Sequence, residues 1–160
     1  MMRRMTFLAP LAAVVAISAS AQAHAQPRVD ITVGPRLEEQ VDKLGVPEVN
    51  QQIAKLQARI ETALAARYPG ATAELVLTDL KPNRPTREQL LKTPGLDPLR
   101  SVSIGGAAIE GQIVTAEGER RPVTFSYYTS NLRDVYGYSV WWDADRAFER
   151  FADRIETGRY

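Results

Sequence analysis

The sequence predicts an α+β fold, a two-layer sandwich in which four or five mostly antiparallel strands carry two main helices on one face. Three patterns lead to it. One apolar stripe at helical spacing, through Val49, Ile53, Leu56, Ile60 and Leu64, lies between two stretches of period-two alternation. Two more extended stretches, over residues 101–114 and 122–128, flank the turn Thr115-Ala116-Glu117-Gly118-Glu119 and read as a hairpin. A second helical stripe, Ala147, Phe148, Phe151, Ala152 and Ile155, lies near the C-terminal end.

At the N-terminus, Met1-Met2-Arg3-Arg4-Met5 is basic, residues 7–17 carry no charge, and Ala19-Ser20-Ala21-Gln22-Ala23-His24-Ala25 offers Ala-x-Ala sites. This is the pattern of a cleavable secretory signal, and its apolar run is well short of the roughly 20 residues that span a membrane. Frames ending at Ala21, Ala23 and Ala25 compete. The last leaves the shortest lead before the first strand, so residues 1–25 are read as signal peptide and 26–160 as one domain, periplasmic or secreted. With no cysteine there is no residue to acylate, and no membrane anchor is expected.

In that domain Arg28-Val29-Asp30-Ile31-Thr32-Val33 alternates as a half-buried strand and stops at Gly34-Pro35. Leu37, Val41 and Leu44 make a short helical piece, which Gly45 and Pro47 end before the long helix, itself closed by Pro69-Gly70. Residues 71–80 come next as a strand with Ala73, Leu75 and Leu77 on one face. Strand, helix and strand in some fifty residues suit a parallel crossover unit. The stretch 81–100 holds Pro82, Pro85, Pro94 and Pro98 and reads as a long ordered loop with one or two helical turns after Pro85. Residues 135–140 suggest a further short strand, and Asp143 and Asp145 suit the first turn of the last helix.

Composition excludes more chemistry than it suggests. Removing residues 1–25 takes Arg3 and Arg4 from the 20 basic residues and leaves 18 against 19 acidic ones, a net charge of −1 that gives no general pull toward nucleic acid. The lone histidine, His24, goes with them. A domain without His or Cys has no Ser-His-Asp or Cys-His nucleophile, no zinc hydrolase centre and no haem attachment, so neither a metal nor a cofactor is expected. Any catalysis rests on carboxylates, Lys, Tyr, Ser or Thr.

Four groups of residues invite a functional reading. Lys81, Arg84 and Arg87, on the proline-stiffened loop, suit a carboxylate or phosphate, or else form a solvated loop. Tyr127, Tyr128, Tyr136, Tyr138, Trp141 and Trp142 crowd into sixteen residues; about half must be core, and Tyr127, Tyr128 and Trp141 are the candidate partner contacts. Gly105-Gly106 and Gly111 sit inside an extended run, which favours a bulge or a close backbone approach over a phosphate loop. Asp143, Asp145, Glu149 and Asp153 interleave with Arg146, Arg150 and Arg154, as expected of ion pairing along a solvated helix face.

Through Asp79-Leu80-Lys81-Pro82-Asn83-Arg84-Pro85-Thr86, Pro94-Gly95-Leu96-Asp97-Pro98, Ser103-Ile104-Gly105-Gly106-Ala107 and Asp143-Ala144-Asp145-Arg146-Ala147-Phe148, the chain resembles small exported proteins of Gram-negative bacteria of a lipoprotein-like α+β type. The resemblance implies an envelope location and brings no catalytic residues with it; many such relatives are tethered by an acylated cysteine that this chain lacks. The function expected is a non-enzymatic binding or interaction module of the cell envelope, reaching a protein partner through a sheet edge or aromatic contact. The alternatives are a carboxylate-based hydrolase of envelope glycans and a binder of small anions.

Overall fold

The computed structural model describes residues 26–159. The expected signal peptide, its cleavage frame and His24 lie outside them. The described chain runs β1 (Arg28–Val33), α1 (Pro35–Leu44), α2 (Val46–Arg67), β2 (Thr72–Lys81), α3 (Arg87–Lys92), β3 (Gly106–Val114), β4 (Arg120–Tyr128), a 3-10 turn (Leu132–Asp134) and α4 (Trp142–Thr157).

The four strands form one sheet in the order β1-β2-β3-β4, with β1 parallel to β2 and the remaining pairs antiparallel. Period two delivers one face to the core: Val29, Ala73, Leu75, Leu77, Ala107, Ile109, Ile113, Val123 and Phe125 are all buried. Leu56, Ile60 and Leu64 of α2 and Phe148, Phe151 and Ile155 of α4 pack against that face, and Phe151 stacks on Phe125 with ring centres 5.3 Å apart. The opposite face is polar, with Asp30, Thr32, Glu74, Glu110, Thr124 and Ser126 exposed. This is the two-layer α+β sandwich.

Local chemistry explains the breaks. Gly45 alone separates α1 from α2; its φ of 97° turns the chain, and its N–H caps α1 by donating to the Val41 carbonyl at 2.8 Å. Pro35 and Pro47 occupy first-turn positions, where a missing N–H costs nothing. Thr86 starts α3 with a capping box: Gln89 N–H donates to the threonine hydroxyl at 3.2 Å, and Thr86 N–H donates to the Gln89 side chain at 3.0 Å.

A bulge in β2 decides where one carboxylate points. Strict alternation from Ala73 would aim Asp79 into the core and Leu80 at solvent. The β2–β3 register shifts between Leu77 and Asp79, so Leu80 is fully buried and Asp79 stays on the polar face. Burying the apolar side chain and leaving the carboxylate out favours the bulge.

The glycines do what a close backbone approach requires. A Cβ on Gly106 would lie 2.1 Å from the Tyr127 carbonyl oxygen, and one on Gly111 would lie 2.1 Å from that of Glu74.

Three expectations need correcting. Residues 101–105 are not part of β3, because Asn83 turns toward Val140 and takes Ser103 with it. Residues 135–140 form no strand; Asn131 instead caps the 3-10 turn by accepting from Arg133 N–H at 3.0 Å. Asp143 is not on a solvated face but 1% exposed.

Candidate functional site

The proline-rich loop and the loop after β4 meet at one end of the molecule, and two adjacent residues bring them together. Asn83 is buried. Its N–H donates to the Val140 carbonyl at 2.7 Å and its carbonyl accepts from Ser103 N–H at 2.8 Å. Its side-chain amide donates to the Asp143 carboxylate and to the Ser103 carbonyl at 3.3 Å, while its side-chain oxygen accepts from Asp143 N–H at 2.8 Å. Gly105 has no side chain because Asn83 fills that space, with its amide oxygen 2.6 Å from where a Cβ would stand. The Asp143 carboxylate therefore sits in the first turn of α4, where the helix dipole favours a negative charge, and is met by an amide instead of a cation.

Arg84 is 7% exposed. Its guanidinium donates to the Leu99 carbonyl and, at 3.0 Å, to the Gly137 carbonyl, and it lies 5.5 Å from the centre of the Tyr138 ring. Its Nε has no partner, and among the described residues no carboxylate pairs with it. Arg84 thus ties residues 97–101 to residues 135–138. The side chains left around this tie are apolar and exposed: Tyr138 at 81%, Tyr136 at 64% and Leu99 at 61%, with Val102, Ile104 and Trp142 less so. Beside them runs a cleft of about 390 Å³ whose walls include Pro82, Pro85, Leu96, Val102 and Ile104, with Lys81 and Arg84 supplying charge.

The residues singled out from the sequence separate accordingly. Lys81 pairs with Asp79 at 3.3 Å and lines the cleft. Arg84 has two of its nitrogens engaged by carbonyls. Arg87 has an exposed side chain, and its N–H donates to Glu48 at 2.8 Å. Tyr127 and Tyr128 point to opposite faces of β4, as alternation requires: Arg150 of α4 lies 4.3 Å from the Tyr127 ring centre, while Tyr128 is on the polar face. Trp141, expected at a partner surface, is buried, and its indole N–H donates to Glu48 at 3.2 Å; Trp142 is the exposed neighbour. One carboxylate, Glu48, thereby links the starts of α2, α3 and α4. Sequence reasoning missed Asn83, Leu99 and the gathering role of Arg84, because each acts through contacts far along the chain.

The α4 charges also behave differently from a simple ion-paired face. Asp145 pairs across to Lys55 of α2 at 3.3 Å, and Arg154 lies 5.0 Å from the Phe125 ring centre.

A second hollow, about 480 Å³, lies on the polar sheet face and is lined by Arg36, Thr78, Asp79, Glu110, Thr124, Ser126 and Tyr128 among others. Two acids face it. Asp79 is already the acceptor for Tyr128 O–H at 2.7 Å, Leu80 N–H at 3.0 Å and the Lys81 ammonium, so its oxygens hold the bulge together. Burial first, then the hydrogen bond to Asp79, push the Tyr128 phenol well above its ordinary value of 10.0. The folded state therefore keeps a proton that the unfolded chain loses. Stability from this group is fully present below pH 10 and falls as pH rises beyond it. Tyr128→Phe should flatten the alkaline limb of a plot of urea midpoint against pH; an unchanged slope would remove Tyr128 as its source.

Sheet edges were the other expected contact. Thr129 N–H donates to Gly105, toward β3, so by alternation the nitrogen of Pro122 faces the free side of β4 and has no hydrogen to offer a further strand. Arg120 and Arg121 precede it, and proline and charge together discourage pairing there. Comparison of the chain with protein-family models, curated proteins and solved structures gives no match.

Proposed function

We propose that this protein is a non-enzymatic binding module of the cell envelope, exported by residues 1–25, that holds a protein partner with the loop surface gathered around Arg84. The observation that carries this reading is the exposure of Tyr138, Tyr136 and Leu99 on two separate loops that one buried arginine ties side by side. Exposing large apolar side chains costs solubility, whereas aromatic residues around an arginine are the composition of interface hot spots. The domain's lack of histidine and cysteine agrees with recognition over catalysis. The resemblance to small exported proteins agrees with the compartment.

The surface is stiff where it matters. Pro82 and Pro85 limit the loop, Asn83 and Arg84 fasten it at both sides, and Thr86 caps the helix at its far end. A partner meeting it would have little loop entropy to quench, which favours affinity.

Site-specific photo-crosslinking in intact cells tests the reading. A photoreactive amino acid in place of Tyr138 is expected to form a discrete adduct with one envelope protein, which Leu99→Ser abolishes, while the same group in place of Arg59 on α2 forms none. No adduct at position 138, or the same adduct from both positions, overturns it.

A further inference from the structure

We infer that the partner presents an acidic, extended peptide segment with one large apolar anchor, the anchor filling the cleft lined by Pro82, Pro85, Leu96, Val102 and Ile104. This rests on the binding-module reading and names the chemistry of its partner. Charge supports it first. Residues 81–104 contain Lys81, Arg84, Arg87, Lys92 and Arg100 against Glu88 and Asp97, a net charge of +3, while residues 26–160 as a whole carry −1. The positive charge is therefore concentrated in this stretch of the chain, with Asp79 and Glu48 as acids that reach it from outside.

Part of it is already neutralised and part is not. Lys92 pairs with Glu88 at 2.9 Å and Lys81 with Asp79. The Asp97 carboxylate, held below its usual range by the N–H groups of Arg100 and Leu99, accepts from the backbone at 2.7 and 2.8 Å. The side chains of Arg87 and Arg100 are exposed and meet no acid among the described residues. Arg87 lies two residues beyond Pro85 and Arg100 adjoins Ser101, both of which line the cleft. Two arginines without an acid partner thus lie within two residues, along the chain, of the cleft lining, and Lys81 and Arg84 belong to the lining itself.

Shape supports it second. About 390 Å³ lies at the small end of ligand cavities and suits one leucine- to tryptophan-sized side chain with its adjoining backbone. Pro82, Pro85, Leu96, Val102 and Ile104 offer the anchor apolar contact, and acids beside it would find partners in Lys81 of the lining and in Arg87 and Arg100 next to it along the chain.

A random twelve-residue peptide library, displayed on phage and selected against the purified protein, tests this, with the recovered peptides synthesised and measured by fluorescence anisotropy. Peptides rich in Asp and Glu around a single large apolar residue are expected. Arg87→Glu with Arg100→Glu should weaken them about tenfold or more without altering the circular dichroism spectrum, because both side chains are exposed and unpaired. Replacing the apolar residue of the peptide by serine should weaken them comparably. Neutral or basic peptides that still lose affinity in Tyr138→Ala would overturn the acidic class and leave the binding surface standing. Peptides indifferent to the charge reversal and to Tyr138→Ala overturn both. So does the recovery of no peptide, with or without binding to phosphatidylglycerol vesicles.

Discussion

Asn83→Ala is expected to destabilise the fold by about 3 to 5 kcal/mol, the loss typical of a buried charge deprived of its partner. The amide of Asn83 is the side-chain donor to the Asp143 carboxylate, and Asp143 is 1% exposed, so water cannot replace it without opening the structure. The same substitution removes the acceptor of Asp143 N–H and the donor to the Ser103 carbonyl. Three segments therefore loosen together: the proline-rich loop, residues 101–105 and the start of α4. Urea denaturation followed by circular dichroism measures the loss. The double variant Asn83→Ala/Asp143→Ala should be more stable than Asn83→Ala alone, because removing both polar groups leaves no buried charge behind. A single variant within about 1 kcal/mol of wild type, or a double variant no better than the single, would show that the carboxylate finds another donor.

Gly111→Ala should be comparably damaging, by about 2 to 6 kcal/mol, with two causes that add. The φ of 145° is strained for any residue with a Cβ, and that Cβ would stand 2.1 Å from the Glu74 carbonyl oxygen and 2.9 Å from the Leu75 Cα. Both obstacles are backbone of the neighbouring strand, so relief means separating β2 from β3 in the middle of the sheet. Gly118→Ala is the control. Its φ is also positive, at 85°, but nothing lies within 4 Å of the added carbon. The difference between the two variants in urea midpoint isolates the steric part, and equal losses would assign the whole effect to backbone strain.

How far the sequence was legible depends on the range of the interactions. The stripe of α2 and that of α4 could be read directly, because a helix repeats every 3.6 residues and its apolar positions report the core without reference to any other segment. Parity in β2, β3 and β4 was equally plain up to Leu77. It failed at Asp79 and Leu80, where the bulge answers to the register of β3 and not to the local pattern. Trp141 and Trp142 show the same limit. Adjacent indoles must diverge, but which one turns inward depends on Glu48, 93 residues away.

The candidate site was half legible. The basic loop and the aromatic crowd were both visible as compositional features, but their meeting was not. Lys81, Arg84 and Arg87 looked like equivalent cations; in the fold one pairs with Asp79, one is buried as a tie between loops, and one stays exposed. Tyr127 and Tyr128 are divided by the pleat, so the tyrosines at the loop surface are Tyr136 and Tyr138.

By itself the sequence determined the layers, the helices and the inward face of most strands, and it leaves residues 26–160 with no histidine or cysteine, since each follows from residue type and short spacing. Only the tertiary structure decided which cation is buried, which acid is desolvated and which aromatic residues are left outside. Those outcomes turn on single hydrogen bonds between distant segments, 60 residues apart in the case of Asn83 and Asp143, and no local period encodes them.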